Sequence, residues 1–315
     1  MLRAVVRAFG DPRQVIGLEE VERTPPGPGE VEIRIRRAAI NPSDLIPVTG
    51  AYRSRTTLPF VPGFEGVGEV ARLGEGVTGF AVGQRVLPIG ASGLWQQYLI
   101  RPADWCFAVP GDISDDQAAM AYVNPLTAFH LVSAAEAHFG KAGGQRIGVT
   151  AAASAIGRML LVLLTETGFR PVALVRSAET AARLAEGFAG EIVVQAAPLD
   201  AVLDAVGGEP GNALFRQIRP GGAFIQYGAL SGAQLDPALV TARKHEVAFS
   251  FLWLRNWVHS APREAVEAAF ARSFAGIRAG SLRSNVDGVF PLENLPAALA
   301  RQDDPARTGK LLLAP

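Results

Sequence analysis

The sequence predicts an α/β protein in which a mostly β domain is joined to a domain built on a parallel, doubly wound sheet. The length of 315 residues suggests about two domains. Within the first 110 residues, short runs such as 31–35 alternate apolar and charged side chains with period two. From Ser114 onward, helical segments alternate with apolar strands, which is typical of a parallel sheet covered by helices on both faces.

The amino-terminal part is predicted to be rich in strands and turns. The run 31–35 places Val and two Ile on one face and Glu and Arg on the other, as in a strand with one solvated face. Gly and Pro clusters at 25–29 and 62–63 interrupt such runs. The segment 41–44, Asn-Pro-Ser-Asp, begins a short helix with Ser43 as its predicted N-cap.

The second part begins with a capping signal, because Asp, Asp and Gln follow Ser114. We predict a helix at 125–138 and then alternating elements. These are strands at 146–150, 171–175, 191–194, 199–203, 223–227 and 247–251, and helices at 156–167 and 178–188.

The tail is predicted to contain a helix at 263–279, a strand at 286–290, a short helix and a strand at 309–313. It is too short for a core of its own, so we expect it to pack on the amino-terminal domain. The predicted domains are therefore 1–117 with 262–315, and 118–261.

Composition excludes several classes of function. Lys and Arg number 30 and Asp and Glu number 30, so nothing favours nucleic acid or an anionic membrane as a partner. The single cysteine, Cys106, excludes an intrachain disulfide and a zinc site built from cysteines. The longest apolar run, 159–164, is far shorter than the ~20 residues of a membrane span. Residues 1–9 resemble a transit peptide in charge, but the following turn favours a first strand and a cytoplasmic protein.

A turn of small residues follows the first strand of the second domain. Ala152, Ser154 and Gly157 stand at the glycine positions of the pattern G-x-G-x-x-G. Such residues let the backbone approach a pyrophosphate, whose charge is favoured at a helix N-terminus. Small residues here also serve tight packing alone. The strand–turn–helix–strand context favours a dinucleotide bound by Ser154, Ala155, Ile156 and Gly157.

The end of the next strand indicates which dinucleotide is bound. A site for NADH usually offers a carboxylate here to the ribose 2′-hydroxyl. This sequence has Arg176 and Ser177 instead, and a guanidinium group suits the 2′-phosphate of NADPH. The alternative is a solvated arginine at the end of a strand. We predict NADPH as the cofactor.

Several motifs, in their order and spacing, resemble one known family. They are Ile-Asn-Pro-Ser-Asp at 40–44, Gly-Ala-Tyr at 50–52, Pro-Gly-Phe-Glu-Gly-Val-Gly at 62–68, Val-Asn-Pro-Leu-Thr-Ala at 123–128, the turn at 151–157, Arg-Pro-Gly-Gly at 219–222, Tyr-Gly at 227–228, Trp-Leu at 253–254 and Trp257. Nearly the whole chain resembles the medium-chain dehydrogenase/reductase superfamily. It looks most like the zinc-free branch of NADPH-dependent 2-enoyl thioester reductases and quinone oxidoreductases. The resemblance implies a GroES-like catalytic domain and a Rossmann domain.

The same resemblance bears on metal binding. Zinc alcohol dehydrogenases of this superfamily have Cys where Asn41 stands and His where Phe64 stands. A phenyl ring has no lone pair to donate, and an Asn amide is a poor zinc ligand. The four histidines are scattered without ligand spacing. We therefore expect no bound metal.

Without a metal, the reaction needs correct hydride geometry and a proton source. The resemblance implies hydride transfer from NADPH to the β-carbon of an α,β-unsaturated thioester, with Tyr52 protonating or orienting the α-carbon. The alternative is that Tyr52 is a loop aromatic that shields the cleft. Asn41 is either a hydrogen-bonding partner near the nicotinamide or enolate, or a brace for its own turn.

Further residues match family positions around the cofactor and substrate. Thr127, Tyr227, Gly228, Trp253 and Lys310 match cofactor-side positions, although a solvated Lys310 is the alternative. Phe64, Trp253 and Trp257 are candidates for the substrate slot, while residues 247–254 also fit an edge strand that pairs in a homodimer. Arg53 and Arg55 flank Tyr52 and are either partners of a substrate phosphate or solvated loop residues.

One departure from the family concerns residues 195–200. Only six residues separate Val194 from Ala201, where relatives carry a helix. We therefore predict a trimmed Rossmann domain. The leading function is reduction of an enoyl thioester. The alternatives are an NADPH:quinone oxidoreductase and a non-catalytic NADPH-binding protein.

Overall fold

A computed structural model describes residues 1–140, 143–194, 198–304 and 306–315 of the chain. Contacts between Cα atoms divide it into two compact units. Unit 1 consists of Met1–Val123 and Val258–Pro315, and unit 2 is Asn124–Trp257. Within the described residues, no helix is both long enough and apolar enough to cross a membrane.

The amino-terminal segment is mostly strands joined by turns, as the period-two alternation predicts. Its elements are β1 (Leu2–Val6), α1 (Pro12–Val15), β2 (Ile16–Glu20), β3 (Glu30–Ile40), α2 (Pro42–Leu45), β4 (Gly66–Leu73), β5 (Arg85–Pro88), β6 (Tyr98–Pro102), β7 (Cys106–Ala108) and α3 (Asp115–Ala118).

The central segment alternates helices and strands. Its elements are α4 (Val123–Phe139), β8 (Arg146–Val149), α5 (Ala155–Glu166), β9 (Arg170–Leu174), α6 (Ala178–Ala185), β10 (Glu191–Val193), β11 (Leu199–Asp204), α7 (Gly208–Arg216), β12 (Ile218–Gln226), α8 (Pro237–Ala242), β13 (Val247–Phe251) and α9 (Leu254–Val258). The tail adds α10 (Arg263–Ala279), β14 (Val286–Pro291), α11 (Leu295–Gln302) and β15 (Lys310–Ala314).

Unit 1 is organised around a sheet in the order β14-β15-β3-β4-β5-β7, with β6 also paired to β3. The tail strand β15 pairs antiparallel with β3, so that Leu311 lies opposite Ile40. Apolar side chains of β3, β4 and β15 form the core with those of α11. This pairing places residue 310 beside residue 41, although 268 positions separate them in the chain.

Unit 2 contains a parallel sheet in the order β10-β9-β8-β11-β12-β13. The chain runs outward from β8 to β10 and then returns to β11 on the other side of β8. Such a reversal is the switch point at which open α/β sheets bind ligands, beyond the carboxyl ends of the strands. The fold is the α/β architecture that the sequence predicts.

The predicted trimming at 195–200 falls partly on residues 195–197, which lie outside the described residues. On either side of them, β10 ends at Val193 and β11 begins at Leu199. The departure at this position stays a prediction.

Two capping predictions have different outcomes. Ser114 caps α3, since its side chain accepts a hydrogen bond from the backbone N–H of Gln117. The prediction that Ser43 caps α2 is wrong, because the helix begins two residues earlier than that cap requires, at Pro42, and Asn41 is its N-cap. The physical reason is the Asp44 carboxylate, which accepts the backbone N–H of Asn41 at 2.7 Å and fixes the chain there.

Candidate functional site

The turn between β8 and α5 is held by its own residues. The Ser154 hydroxyl caps α5 by accepting the backbone N–H of Gly157 at 3.1 Å. A Cβ at Gly157 would lie 2.5 Å from the carbonyl oxygen of Ala151 and 2.6 Å from that of Ala152. No side chain fits at that distance, so residue 157 must be glycine for the turn to close onto the helix.

The turn also contains a backbone conformation that is unusual for its residue type. Ala151 has φ +49°, in the left-handed region that normally favours glycine. The preceding residue, Thr150, donates its hydroxyl to Asp204 Oδ1 at 2.9 Å and accepts the backbone N–H of Ala205 at 2.8 Å. These two bonds tie the start of the turn to the end of β11.

A buried polar row crosses the carboxyl ends of three neighbouring strands. It consists of Thr150 after β8, Asp204 on β11 and Gln226 on β12, and Asp204 lies opposite Gln226 in the register. Asp204 also accepts the backbone N–H groups of Val206 at 3.1 Å and Gly207 at 2.7 Å. Burial raises the pKa of Asp204, while these hydrogen bonds oppose the shift.

Two buried polar atoms at the end of β12 have no hydrogen-bond partner among the described residues. They are Gln226 Oε1 and the hydroxyl of Tyr227. Burial raises the pKa of Tyr227, and the nearby Asp204 adds to the shift, so the phenol stays protonated. Buried polar groups normally have partners, so unpaired ones at a switch point indicate the place of a ligand. The residues present thus fit a dinucleotide.

Arg176 and Ser177 follow the carboxyl end of β9. Ser177 caps α6 by accepting the backbone N–H of Thr180 at 3.2 Å. The Arg176 side chain is exposed and makes no hydrogen bond or ion pair with the residues that the structure describes. Its guanidinium group is available to an anion.

The other predicted residues of unit 2 are spread over several elements. Thr127 is buried in α4. Gly228 follows Tyr227, and a Cβ at Gly228 would lie 2.6 Å from the carbonyl oxygen of Ala205, so no side chain fits there. The Trp257 ring packs on that of His130, with the ring centroids 4.2 Å apart. Trp253 is 37% exposed.

In unit 1, two predicted residues meet inside a buried polar cluster of Asn41, Asp44, Glu65 and Lys310. All four side chains are at most 6% exposed. The Lys310 ammonium donates to Asn41 Oδ1 and, at 3.4 Å, to the carbonyl oxygen of Ile40. Asn41 Nδ2 donates to Glu65 Oε1 at 2.8 Å. Lys310 is therefore not the solvated lysine of the alternative interpretation.

Each carboxylate of this cluster also fixes a piece of backbone. Glu65 Oε2 accepts the N–H of Val123 at 2.7 Å, and Asp44 Oδ1 accepts the N–H of Phe64 at 2.8 Å. Burial raises the pKa of Asp44 to about 7 and also raises the pKa of Glu65. Burial lowers the pKa of Lys310, against the attraction of both carboxylates.

The remaining predicted residues of unit 1 lie outside this cluster. Phe64 is half-buried and joined to it only through its backbone. Tyr52 is half-buried in the turn that follows α2, and Arg53 and Arg55 beside it are exposed. The Arg53 guanidinium carbon lies 5.8 Å from the centroid of the Phe9 ring. Among the residues described, no three His, Cys, Asp or Glu side chains converge to hold a metal ion.

Sequence reasoning missed five polar residues of these two regions, one of which is Gln226 at the end of β12. Asp44 and Glu65 stand inside recognised motifs, but nothing in the motifs shows that both are buried beside Lys310. Thr150 and Asp204 end strands that the sequence does predict. A polar residue at the end of an otherwise apolar strand is the signal that was available for them.

Comparison with known proteins gives matches over both units. The family model for the alcohol dehydrogenase GroES-like domain matches residues 27–111. The model described as zinc-binding dehydrogenase matches residues 178–313.

Individual relatives match nearly the full chain. A mitochondrial enoyl-[acyl-carrier-protein] reductase of Xenopus tropicalis is 28% identical over 331 residues, covering 98% of this chain and 94% of that protein. The crystal structure of a Bacillus thuringiensis protein assigned as an NADPH:quinone reductase is 32% identical with a TM-score of 0.90, covering 100% and 98% of the two chains. A mycobacterial protein solved in complex with NADPH is 26% identical with a TM-score of 0.85, covering 100% of both chains.

Proposed function

Because this chain belongs to the zinc-free branch of the medium-chain dehydrogenase/reductase superfamily, a group of oxidoreductases, we propose that it uses NADPH to reduce an activated C=C bond, most specifically that of a 2-enoyl thioester. One observation carries the proposal: the turn at 151–157 lies at the switch point of a parallel sheet, and two buried polar atoms at the same edge have no hydrogen-bond partner among the described residues. The likeness to an enoyl-[acyl-carrier-protein] reductase over 98% of the chain supports the substrate class.

The reaction requires a hydride, a proton and a place for developing charge. The turn at 151–157 would hold NADPH, and the chemistry that the bound coenzyme would supply is a hydride for the β-carbon, with NADP⁺ as the oxidised product. Tyr52 gives its phenolic proton to the α-carbon, and solvent restores that proton. An enolate carbon is basic enough to accept a proton from a phenol. Asn41 is the proposed hydrogen-bonding partner of the reacting groups.

The remaining roles follow from position within each unit. Backbone N–H groups at the start of α5 suit the pyrophosphate, with Ser154, Ala155, Ile156 and Gly157 forming the turn. On the nicotinamide side we propose Thr127, Tyr227, Gly228 and Trp253, with Lys310 acting there through its hydrogen bond to Asn41. For the substrate we propose Phe64, Trp253 and Trp257 along the acyl chain, and Arg53 for a phosphate group of the carrier.

Coenzyme choice is assigned to Arg176, which is exposed and free of partners among the described residues. Replacing Arg176 with Ala is expected to lower kcat/KM for NADPH by roughly 10-fold or more and to leave that for NADH unchanged. The control is Arg170→Ala, because Arg170 is exposed at the opposite end of the same strand, β9. An equal loss with both coenzymes would contradict the assignment.

Quinone reduction is the second candidate, favoured by the 32% identity to the protein assigned as an NADPH:quinone reductase. We would measure NADPH oxidation with crotonyl-CoA, a longer enoyl-CoA and a simple quinone. Turnover of an enoyl-CoA supports the main proposal, whereas turnover of the quinone alone supports the second. Tight NADPH binding without turnover of any of the three would contradict both.

Tyr52 separates the two reactions, because quinone reduction needs no proton donor at a carbon atom. Tyr52→Phe is expected to reduce enoyl turnover by about 100-fold and to change quinone turnover less than about 2-fold. The control is Tyr98→Phe, which removes the phenolic hydroxyl of a second tyrosine, whose ring contacts the Arg23 guanidinium group. Retained enoyl turnover in Tyr52→Phe would mean that Tyr52 only shields the cleft.

We also propose that the protein is a homodimer formed through β13. This strand pairs with β12 on one side and is the last strand in the sheet order of unit 2. Phe251 on β13 is 53% exposed, and an unpaired strand edge with exposed aromatic groups favours pairing with a second copy. Sedimentation should give a dimer that Phe251→Lys dissociates. The exposed Val82 of unit 1, replaced by Lys, should leave it intact.

A further inference from the structure

We propose that Lys310 and Glu65 are positioning residues that hold the Asn41 side-chain amide in one orientation, so that Asn41 acts on the reacting groups only as a hydrogen-bond donor. This inference rests on the proposed function, because it concerns how Asn41 takes part in that reaction. It begins from the observation that Asn41 lies between a buried cation and a buried anion. The Lys310 ammonium donates to its Oδ1, and its Nδ2 donates to Glu65 Oε1 at 2.8 Å.

The charges decide which way the amide points. If the Asn41 amide were reversed, its NH₂ group would face the Lys310 ammonium and its oxygen would face the Glu65 carboxylate. Two charge-assisted hydrogen bonds, each contributing on the order of 1.5–3 kcal/mol, would become two repulsive contacts. All three side chains are at most 6% exposed, so water is poorly placed to compensate either contact. The amide therefore has a single accessible orientation.

The cation does not simply pair with an anion. Within the described residues, the ammonium of Lys310 contacts the Asn41 oxygen and the carbonyl oxygen of Ile40 rather than a carboxylate. The asparagine side chain bridges Lys310 and Glu65. A lysine whose role was only to neutralise Glu65 would make a direct ion pair with it, so this bridging arrangement favours a role exerted through Asn41.

The three side chains stand on fixed backbone. Lys310 begins β15, whose next residue, Leu311, lies opposite Ile40 at the end of β3. The backbone N–H of Asn41 donates to Asp44 at 2.7 Å, and Glu65 is fixed by the N–H of Val123 at 2.7 Å. Rigid support of this kind is what holds a functional group at a productive angle.

Counting hydrogen-bonding capacity then gives the role of Asn41. An asparagine amide has two N–H donors and one oxygen that can accept two hydrogen bonds. Glu65 takes one N–H, and the oxygen faces the ammonium of Lys310. The one donor that remains requires an acceptor, such as the carbonyl oxygen of a thioester or a carboxamide. A donor at an oxygen on which negative charge develops stabilises the transition state.

The test is a double-mutant cycle with Asn41→Ala and Lys310→Met, using the acceptor that the wild-type enzyme reduces. Each single variant is expected to lower kcat by roughly 10- to 100-fold and to change KM for NADPH less than about 3-fold. Once Asn41 is Ala, Lys310→Met should lower kcat less than about 2-fold further, since Lys310 acts through the amide. Lys244→Met, at an exposed lysine of unit 2, is the control.

Two other outcomes overturn the inference. If the two losses in kcat multiply in the double variant, Lys310 acts independently of Asn41. If Lys310→Met raises KM for NADPH about 10-fold with kcat unchanged, the lysine contacts the coenzyme directly. Lys310→Arg keeps a cationic donor and should recover part of the lost kcat. Should Lys310→Met fail to fold, Glu65→Gln with Asn41→Ala provides the same cycle from the other side of the amide.

Failure of the proposed function has a different signature. If the wild-type enzyme reduces neither an enoyl-CoA nor a quinone, the proposed function is wrong and this inference falls with it. If the wild-type enzyme is active and the losses multiply, only the positioning role is wrong.

Discussion

Two regions of the molecule differ in how their polar groups are hydrogen-bonded. One is the turn at 151–157 in unit 2, and the other is the buried cluster in unit 1 that consists of Asn41, Asp44, Glu65 and Lys310. The turn is built from consecutive residues, and beside it Gln226 Oε1 and the Tyr227 hydroxyl are buried without partners among the described residues. The cluster is assembled from distant segments, and its side chains hydrogen-bond to one another or to backbone.

This difference suggests a way to distinguish residues that bind a ligand from residues that only hold other side chains in position. A buried polar atom without a partner is costly, so it persists where a ligand completes it. A buried ionisable cluster that satisfies itself instead holds its members in place. The two regions should therefore respond differently to substitution: the turn through coenzyme affinity, and the cluster through catalysis and the pH dependence of stability.

The largest effect is expected at Gly157. A Cβ there would lie 2.5 Å from the carbonyl oxygen of Ala151, so Gly157→Ala must displace the turn. We expect the dissociation constant for NADPH to rise by about 100-fold or more, equivalent to about 3 kcal/mol. Gly143→Ala is the control in the same unit, because its Cβ would meet nothing closer than 3.8 Å. Calorimetric titration with unchanged affinity would contradict the role of the turn.

The next effect concerns Asp204, which supports the turn. Asp204→Ala removes the acceptor of three hydrogen bonds, from Thr150, Val206 and Gly207. The free energy of unfolding should fall by roughly 3 kcal/mol, since buried donors lose their partner. Chemical denaturation measures this change, and NADPH affinity should fall with it. A stable variant with normal affinity would show that the polar row does not support the turn.

A smaller effect, on the order of 2 kcal/mol, is expected in the pH dependence of stability in unit 1. Burial raises the pKa of Asp44 from its ordinary 3.8 to about 7, so between these values the folded state holds a proton that the unfolded chain releases. The contribution of Asp44 is thus fully present below about pH 4 and is lost as the pH rises through about 7.

The measurement is denaturation of the wild type and Asp44→Asn at several pH values between 5 and 8. Asn cannot titrate, so the stability of the wild type relative to the variant should decline as the pH rises across this range. Parallel curves would show that Asp44 is ionised throughout this pH range in the folded protein.

The smallest effect is expected at Ala151. Its φ of +49° is unfavourable for a residue with a Cβ, so Ala151→Gly should relieve strain and raise the free energy of unfolding by up to about 1 kcal/mol. Ala153→Gly is the matched comparison, because Ala153 has no positive φ and the added glycine should only increase the entropy of the unfolded chain. A loss of stability in both would mean that the turn stores no strain.

Much of the fold could be predicted from local pattern. The helix at Arg263–Ala279 and the strand at Val247–Phe251 have the predicted bounds, because long or strongly apolar segments carry clear periodicity. The cap at Ser114 followed from the residues after it. The cap of α2 did not, because the Asp44 carboxylate accepts the backbone N–H of Asn41 and so fixes the start of the helix at Pro42.

The sequence by itself determined the α/β class, the position of the turn at 151–157 and the family, because each depends on local patterns and on their order along the chain. Only the tertiary structure decided that Lys310 lies against Asn41 and that Thr150, Asp204 and Gln226 form one row. Those neighbours are set by strand pairing, which joins residues that no local spacing relates. Burial then converts these contacts into fixed orientations and shifted pKa values, since charges interact strongly only where water is excluded.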